Sequence, residues 1–258
     1  MEPLGMLIDF TECIGCGECV KACQKQNKLG DNPSKDDLSS HNYTVVLKQE
    51  GINYRKLCMH CQEPTCASVC PVGAFTKTAL GPVIYDADKC MGCRYCMMAC
   101  PFGVPRYQWD SAVPVIAKCI FCNERVAAGG ETACSWVCPM GATRMGRRSD
   151  LLEIARGRVE RHPDKYVNYI YGETDAGGTS ILMLSSVPFD KLGFPMDLGA
   201  QPLPSLTWSV LSKIPSIVVT GGVLLGGLTW IINRRIQLDS GALVDPEDSS
   251  RPGKGGAK

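Results

Sequence analysis

Eight cysteines between Cys58 and Cys100 constrain this chain more than any other feature. They begin Cys58-Met-His-Cys61, followed after four intervening residues by Cys66, after three more by Cys70, and then Pro71. Eighteen residues later come Cys90-Met-Gly-Cys93-Arg-Tyr-Cys96, Cys100 and Pro101. A C-x2-C pair puts two sulfurs on one short turn. They bridge each other only with strain, but they can share one inorganic centre. Three cysteines at i, i+3 and i+6 suit three corners of one iron–sulfur cubane. Proline after the fourth cysteine fixes φ and keeps a helix from running past the ligand.

The chain has 258 residues and 16 cysteines, and these fall into four quartets with none left over. The quartets are Cys13/Cys16/Cys19/Cys23, Cys58/Cys61/Cys66/Cys70, Cys90/Cys93/Cys96/Cys100 and Cys119/Cys122/Cys134/Cys138. A disulfide framework belongs to short secreted chains and does not explain tight quartets. A zinc-stabilised binding module is the other alternative. The last quartet, with eleven residues between Cys122 and Cys134, comes nearest to a four-cysteine zinc site. A net charge of +1 gives no electrostatic case for nucleic acid. No Ser/His/Asp arrangement, phosphate loop or spare cysteine is present, and His41, His60 and His162 are scattered. These features point to electron transfer without catalysis.

The third quartet resembles the bacterial ferredoxin run C-x2-C-x2-C-x3-C-P, in which the fourth cysteine of each run serves the other cluster. On that rule Cys58, Cys61, Cys66 and Cys100 hold one [4Fe–4S] cluster, and Cys90, Cys93, Cys96 and Cys70 hold another. Quartets two and three have the short ferredoxin separation, whereas thirty-four residues separate quartets one and two. By elimination, Cys13, Cys16 and Cys19 pair with Cys138, and Cys119, Cys122 and Cys134 pair with Cys23. The expected fold is α+β. Two interleaved 2[4Fe–4S] ferredoxin units are related by a pseudo-two-fold, with inserted β-hairpins and one C-terminal transmembrane helix.

In chain order, Leu7–Phe10 is predicted as a strand that delivers the chain to Cys13. Residues 43–48 and 52–57 form one predicted hairpin, and residues 74–77 and 83–85 another. Asp150–Val159 reads as a helix with Asp150 at its cap. The expected divisions are a four-cluster domain over 1–148 (outer unit 6–26 and 115–148, inner unit 55–105), an extended wrapping arm over 149–205, a transmembrane helix over 206–235 and a disordered tail over 236–258. Ile214–Ile232 carries no charge and spans roughly 28 Å as a helix, close to the hydrocarbon thickness. Trp208 and Trp230 lie near its ends, and Arg234-Arg235 follow as a stop-transfer signal. Gly222-x3-Gly226 permits close packing against another helix. Lys89, Arg94 and Lys118 sit beside ligands and either raise cluster potentials or face solvent. Tyr95, Trp136 and His60 either line an electron route or shield a cluster from water.

The four quartets, together with Cys90-Met-Gly-Cys93-Arg-Tyr-Cys96-Met-Met-Ala-Cys100-Pro101-Phe-Gly-Val-Pro105, resemble the four-cluster iron–sulfur (beta) subunits of the DMSO reductase, formate dehydrogenase-N and hydrogenase-2 type. Tyr171-Gly-Glu-Thr-Asp-Ala-Gly-Gly-Thr-Ser-Ile-Leu182, Val187-Pro-Phe-Asp190 and the single C-terminal apolar helix are most similar in layout to the hydrogenase-2 type. The resemblance implies a subunit that relays electrons through four [4Fe–4S] clusters. One partner is a catalytic subunit, either a [NiFe] hydrogenase or a molybdopterin enzyme. The other is an integral-membrane quinone-reactive or cytochrome b-type subunit. It also implies that the Cys13/Cys138 end faces the catalytic subunit and the inner pair the membrane. A free soluble polyferredoxin is the alternative, and the Ile214–Ile232 segment argues against it. Residues 1–12 show no export signal, so the expectation is a chain exported with a signal-bearing partner, one numbered after cleavage, or a cytoplasmic-facing complex. Arg234-Arg235 favour a single pass through the inner membrane with the clusters on the periplasmic side; Lys213 is the counter-vote.

Overall fold

The computed structural model describes residues 2–30 and 36–239, and it divides into two compact units, the first ending at Leu206 and the second beginning at Thr207. In the first unit, β1 (Leu4–Asp9) leads into α1 (Glu18–Asn27), followed by β2 (Thr44–Gln49), β3 (Ile52–Leu57), α2 (Thr65–Ser68), β4 (Phe75–Lys77) and β5 (Val83–Tyr85). Then come α3 (Tyr95–Ala99), β6 (Arg106–Tyr107), β7 (Ile116–Ala117), α4 (Asn123–Ala127), α5 (Ala133–Trp136) and β8 (Thr143–Arg147). The unit closes with α6 (Arg148–Arg161) and β9 (Ile181–Leu184).

A three-stranded sheet in the order β8-β1-β9 anchors this unit. β1 pairs antiparallel with β8, from Leu4 opposite Arg147 to Ile8 opposite Thr143. It pairs in parallel with β9, Met6 opposite Ile181. Both faces of the sheet are covered, which explains why β1 and β9 are apolar at nearly every position. Met6, Ile8, Ile181 and Met183 face an aromatic cluster of Phe10, Tyr54, Tyr171, Phe189 and Phe194. Leu7, Leu182 and Leu184 face Leu151, Ala155 and Val159 of α6. All four β9 side chains are fully buried, each stabilising the fold by about 1.5–3 kcal/mol. Residues 149–205, expected as an extended arm, thus carry α6 and a core strand.

Two local boundaries differ from expectation. The first strand begins at Leu4, because its early residues pair with β8. Helix α6 starts two residues before Asp150. That carboxylate does not cap; it accepts from Arg147 Nε at 2.7 Å. The two expected hairpins are antiparallel pairs, β2 with β3 and β4 with β5.

The second unit holds the residues of α7 (Leu203–Leu211) from Thr207 onward and α8 (Ile214–Asp239). The expected single helix over 206–235 is interrupted at Ser212–Lys213. Pro215 lacks an N–H and crowds the carbonyl four residues back, so α-helix restarts at Ile214. The segment is long and apolar enough to cross a membrane, and its side chains are unburied within the unit. The helix runs four residues into the expected tail; residues 240–258 lie outside the described residues.

Candidate metal centres

None of the sixteen cysteines is paired in a disulfide. The crossed groups expected from spacing are spatial neighbours. Cys13, Cys16, Cys19 and Cys138 line one apolar cavity. Cys58, Cys61, Cys66 and Cys100 line a second. Cys96 is within electrostatic reach of Cys90, Cys93 and Cys70, and Cys23 of Cys134 and Cys122, with Cys119 also close to Cys23 and Cys134. Among the described residues, no three His, Cys, Asp or Glu side chains converge tightly enough to grip a single metal ion. Sulfurs spread around a cavity suit a cluster that fills it better than one tetrahedral zinc. The chain therefore fits four [4Fe–4S] clusters, and the two dicluster stretches reported below agree.

Two backbone devices recur at these groups. In the first C-x2-C turn of each quartet the residue before the second cysteine has positive φ: Gly15 at 74°, His60 at 49°, Gly92 at 73° and Phe121 at 62°. This conformation turns the peptide N–H back toward the first sulfur; Gly92 and Phe121 donate to Cys90 and Cys119 at 3.4 Å. Such N–H groups stabilise thiolate over thiol. After Cys70, Cys100 and Cys138, a Cys-Pro-x-Gly turn closes with a bond from the glycine N–H to the cysteine carbonyl, 3.1–3.3 Å long. That repeat was legible in the sequence as a shared glycine three residues after each Cys-Pro cysteine. The first quartet lacks the proline, and α1 accordingly continues past Cys23 to Asn27, whose amide donates to the Cys23 carbonyl at 2.8 Å.

The residues beyond the cysteines divide into buried cations and exposed surface. Arg55, missed in the sequence because it sits in a hairpin strand, is 3% exposed. Its Nε donates to Thr44 Oγ1 at 2.7 Å and its Nη1 to Thr143 Oγ1 at 3.3 Å. Burial alone would lower its pKa, but the charges of Cys134 and Cys19 outweigh that and raise it. Reciprocally, burial pushes the Cys134 thiol up, and the Arg55 charge brings it below its ordinary value. Burial pushes Cys23, Cys66 and Cys96 up to about 12, so each must give up a proton to bind iron. Lys118 is buried, donating to the carbonyls of Val83 at 2.5 Å and Cys119 at 2.8 Å. Lys77 donates to the carbonyl of His60 at 3.1 Å. Burial, with the charges of Lys118 and Lys77, pushes the His60 pKa well below its usual range, so the ring is neutral. Lys89 pairs with Asp86 at the surface, and Arg94 stacks over Tyr107 and Trp109. Tyr95 and Trp136 are exposed, whereas His60 is buried.

The distal Tyr171–Leu182 segment buttresses one of these sites. Ser180 N–H donates to the His60 carbonyl, Ile181 N–H to that of Met59, and Gln62 N–H to that of Gly178, at 2.9–3.3 Å. Arg148 Nε ties the Thr179 carbonyl at 2.6 Å. The loop carrying Cys58 and Cys61 is thereby held against the central sheet.

Two stretches match the family described as a 4Fe-4S dicluster domain, residues 12–75 and 51–148. Hydrogenase-2 operon protein HybA of Escherichia coli O157:H7 is 34% identical over 92% of this chain and 86% of its own length. The nitrate-inducible formate dehydrogenase iron-sulfur subunit of Escherichia coli K12 is 34% identical over 68% of this chain and 66% of its own length. A protein of Nitratidesulfovibrio vulgaris is 41% identical over 91% of this chain and 68% of its own. The chain belongs to the family of four-cluster iron–sulfur subunits that includes HybA and the formate dehydrogenase iron–sulfur subunits.

Proposed function

We propose that this chain is the non-catalytic electron-transfer subunit of a membrane-bound oxidoreductase, joining a catalytic subunit to an integral-membrane quinone-reactive subunit. The observation that carries it is the file in which the cysteine groups stand. Cys19 is close to Cys134, Cys119 to Cys58, and Cys66 to Cys96. The order is therefore Cys13/Cys16/Cys19/Cys138, then Cys119/Cys122/Cys134/Cys23, then Cys58/Cys61/Cys66/Cys100, then Cys90/Cys93/Cys96/Cys70. These sets are the proposed ligands, in two interleaved ferredoxin units with pseudo-two-fold symmetry.

Bound [4Fe–4S] clusters supply reversible one-electron redox couples. The protein's part is to hold them in order, exclude water and set their potentials. Four thiolates close each site, leaving no open position for a substrate. Arg55 lies between the first two groups, and Lys77 and Lys118 lie beside the third; all three favour the more negative, reduced state. Both ends of the file are exposed and apolar: Ile14 and Met140 at one, Met91, Tyr95 and Met98 at the other. The first end is assigned to the catalytic subunit and the second to the membrane subunit. The apolar C-terminal helices support an anchor in the inner membrane, and Arg234-Arg235 after them favour a cluster unit on the periplasmic side.

Hydrogenase is favoured as the catalytic partner, because the match to HybA covers 92% of this chain and that to the nitrate-inducible formate dehydrogenase subunit 68%. Purification of the native complex followed by metal analysis tests this. Nickel without molybdenum is expected; molybdenum or tungsten would assign the chain to a molybdopterin-type complex instead.

A further inference from the structure

His60 is built into the wall of the third site at two structural costs. Its backbone is left-handed at φ 49°, a conformation that the equivalent turns at Gly15 and Gly92 give to glycine. The residue is 1% exposed and lines the same cavity as Cys58, Cys61, Cys66 and Cys100. Val83 N–H donates to Nδ1 at 2.9 Å, so Nδ1 is the acceptor and the ring proton sits on Nε2. That Nε2–H has no partner in the protein. A buried donor left unsatisfied costs about 1–3 kcal/mol, and native interiors rarely tolerate one.

We propose that the Nε2–H of His60 is a hydrogen-bond donor to the cluster held by Cys58, Cys61, Cys66 and Cys100, and that it raises the reduction potential of that cluster. The inference rests on the cysteine assignment proposed above. A donor to cluster or thiolate sulfur stabilises the reduced, more negative state. The protein's alternative for this proton is the face of Phe121, whose ring centroid lies 5.2 Å away in an edge-on arrangement. A contact of that kind is weak and would leave the potential unaffected.

The chain has only three histidines, which makes the test selective. His41 is exposed and pairs with Asp110, and His162 is exposed. The native complex, labelled with 15N-histidine and reduced, is examined by pulsed EPR. The proposal expects 15N coupling on one cluster signal, accompanied by an exchangeable proton coupling. His60→Leu should abolish both and lower one midpoint potential while the other three stay in place. His60→Gln, which keeps a side-chain N–H, should recover part of the shift. Absence of 15N coupling in fully iron-loaded wild-type protein would overturn the proposal, and this arm needs no variant to fold. Unchanged midpoints in loaded His60→Leu would do the same. Coupling on a signal that survives in Cys100→Ser would instead overturn the cysteine assignment on which the proposal rests.

Discussion

Replacing Arg55 with leucine removes the one buried positive charge placed between the first two cysteine groups. The guanidinium is within electrostatic reach of Cys134, Cys19 and Cys23, which belong to two of the proposed ligand sets. A unit charge about 6 Å from a site's centre, at an effective dielectric constant of about 20, interacts by about 2.8 kcal/mol, or about 120 mV for one electron. Loss of a cation disfavours the reduced state, so both potentials should fall. The assay is an EPR-monitored redox titration of the intact complex. Two midpoints should drop by on the order of 100 mV and the two more distant ones much less. Arg55→Lys retains the charge and should keep the midpoints near wild type. It loses the bonds to Thr44 and Thr143, so it should melt lower. Fully loaded Arg55→Leu with four unchanged midpoints, or with raised ones, would refute the electrostatic role.

Three other perturbations probe separate parts of the account. Cys100→Ser should damage the site of Cys58, Cys61 and Cys66 and leave that of Cys90, Cys93 and Cys96 loaded; the opposite loss by EPR would overturn the crossed ligation. Removing residues 207–258 should release the complex from membranes or weaken its hold on the membrane subunit; unchanged sedimentation with membranes would mean that the partner alone anchors it. Gly172→Ala should lower thermal stability by more than about 1–3 kcal/mol, measured by calorimetry, because φ is +93° and a Cβ would meet the Ile181 carbonyl at 2.2 Å. A wild-type melting point would show that this turn relaxes freely.

The cysteines made much of the site legible, since cluster ligation leaves a spacing that few other needs produce. The crossed neighbours follow from the short gap between Cys70 and Cys90 against the long one between Cys23 and Cys58. Arg55 and Lys77 were not legible, because a cation in a hairpin strand reads as a solvated face until the strand is folded over a site. Lys118 left burial and exposure open for the same reason. The role of residues 149–205 was hidden by topology. Ile181–Leu184 is a four-residue apolar run whose partner, β1, lies 175 positions earlier, and local periodicity carries no record of such pairing. At α6 the cap rule failed because Arg147 competes for the Asp150 carboxylate.

Iron and acid-labile sulfide, counted on anaerobically purified complex together with Mössbauer spectra, test the central claim most directly. Four cubanes of four irons each predict about sixteen irons and sixteen sulfides per chain, all in [4Fe–4S] form. Stoichiometric zinc, or loaded protein with markedly fewer than sixteen irons and a different cluster type, would contradict it.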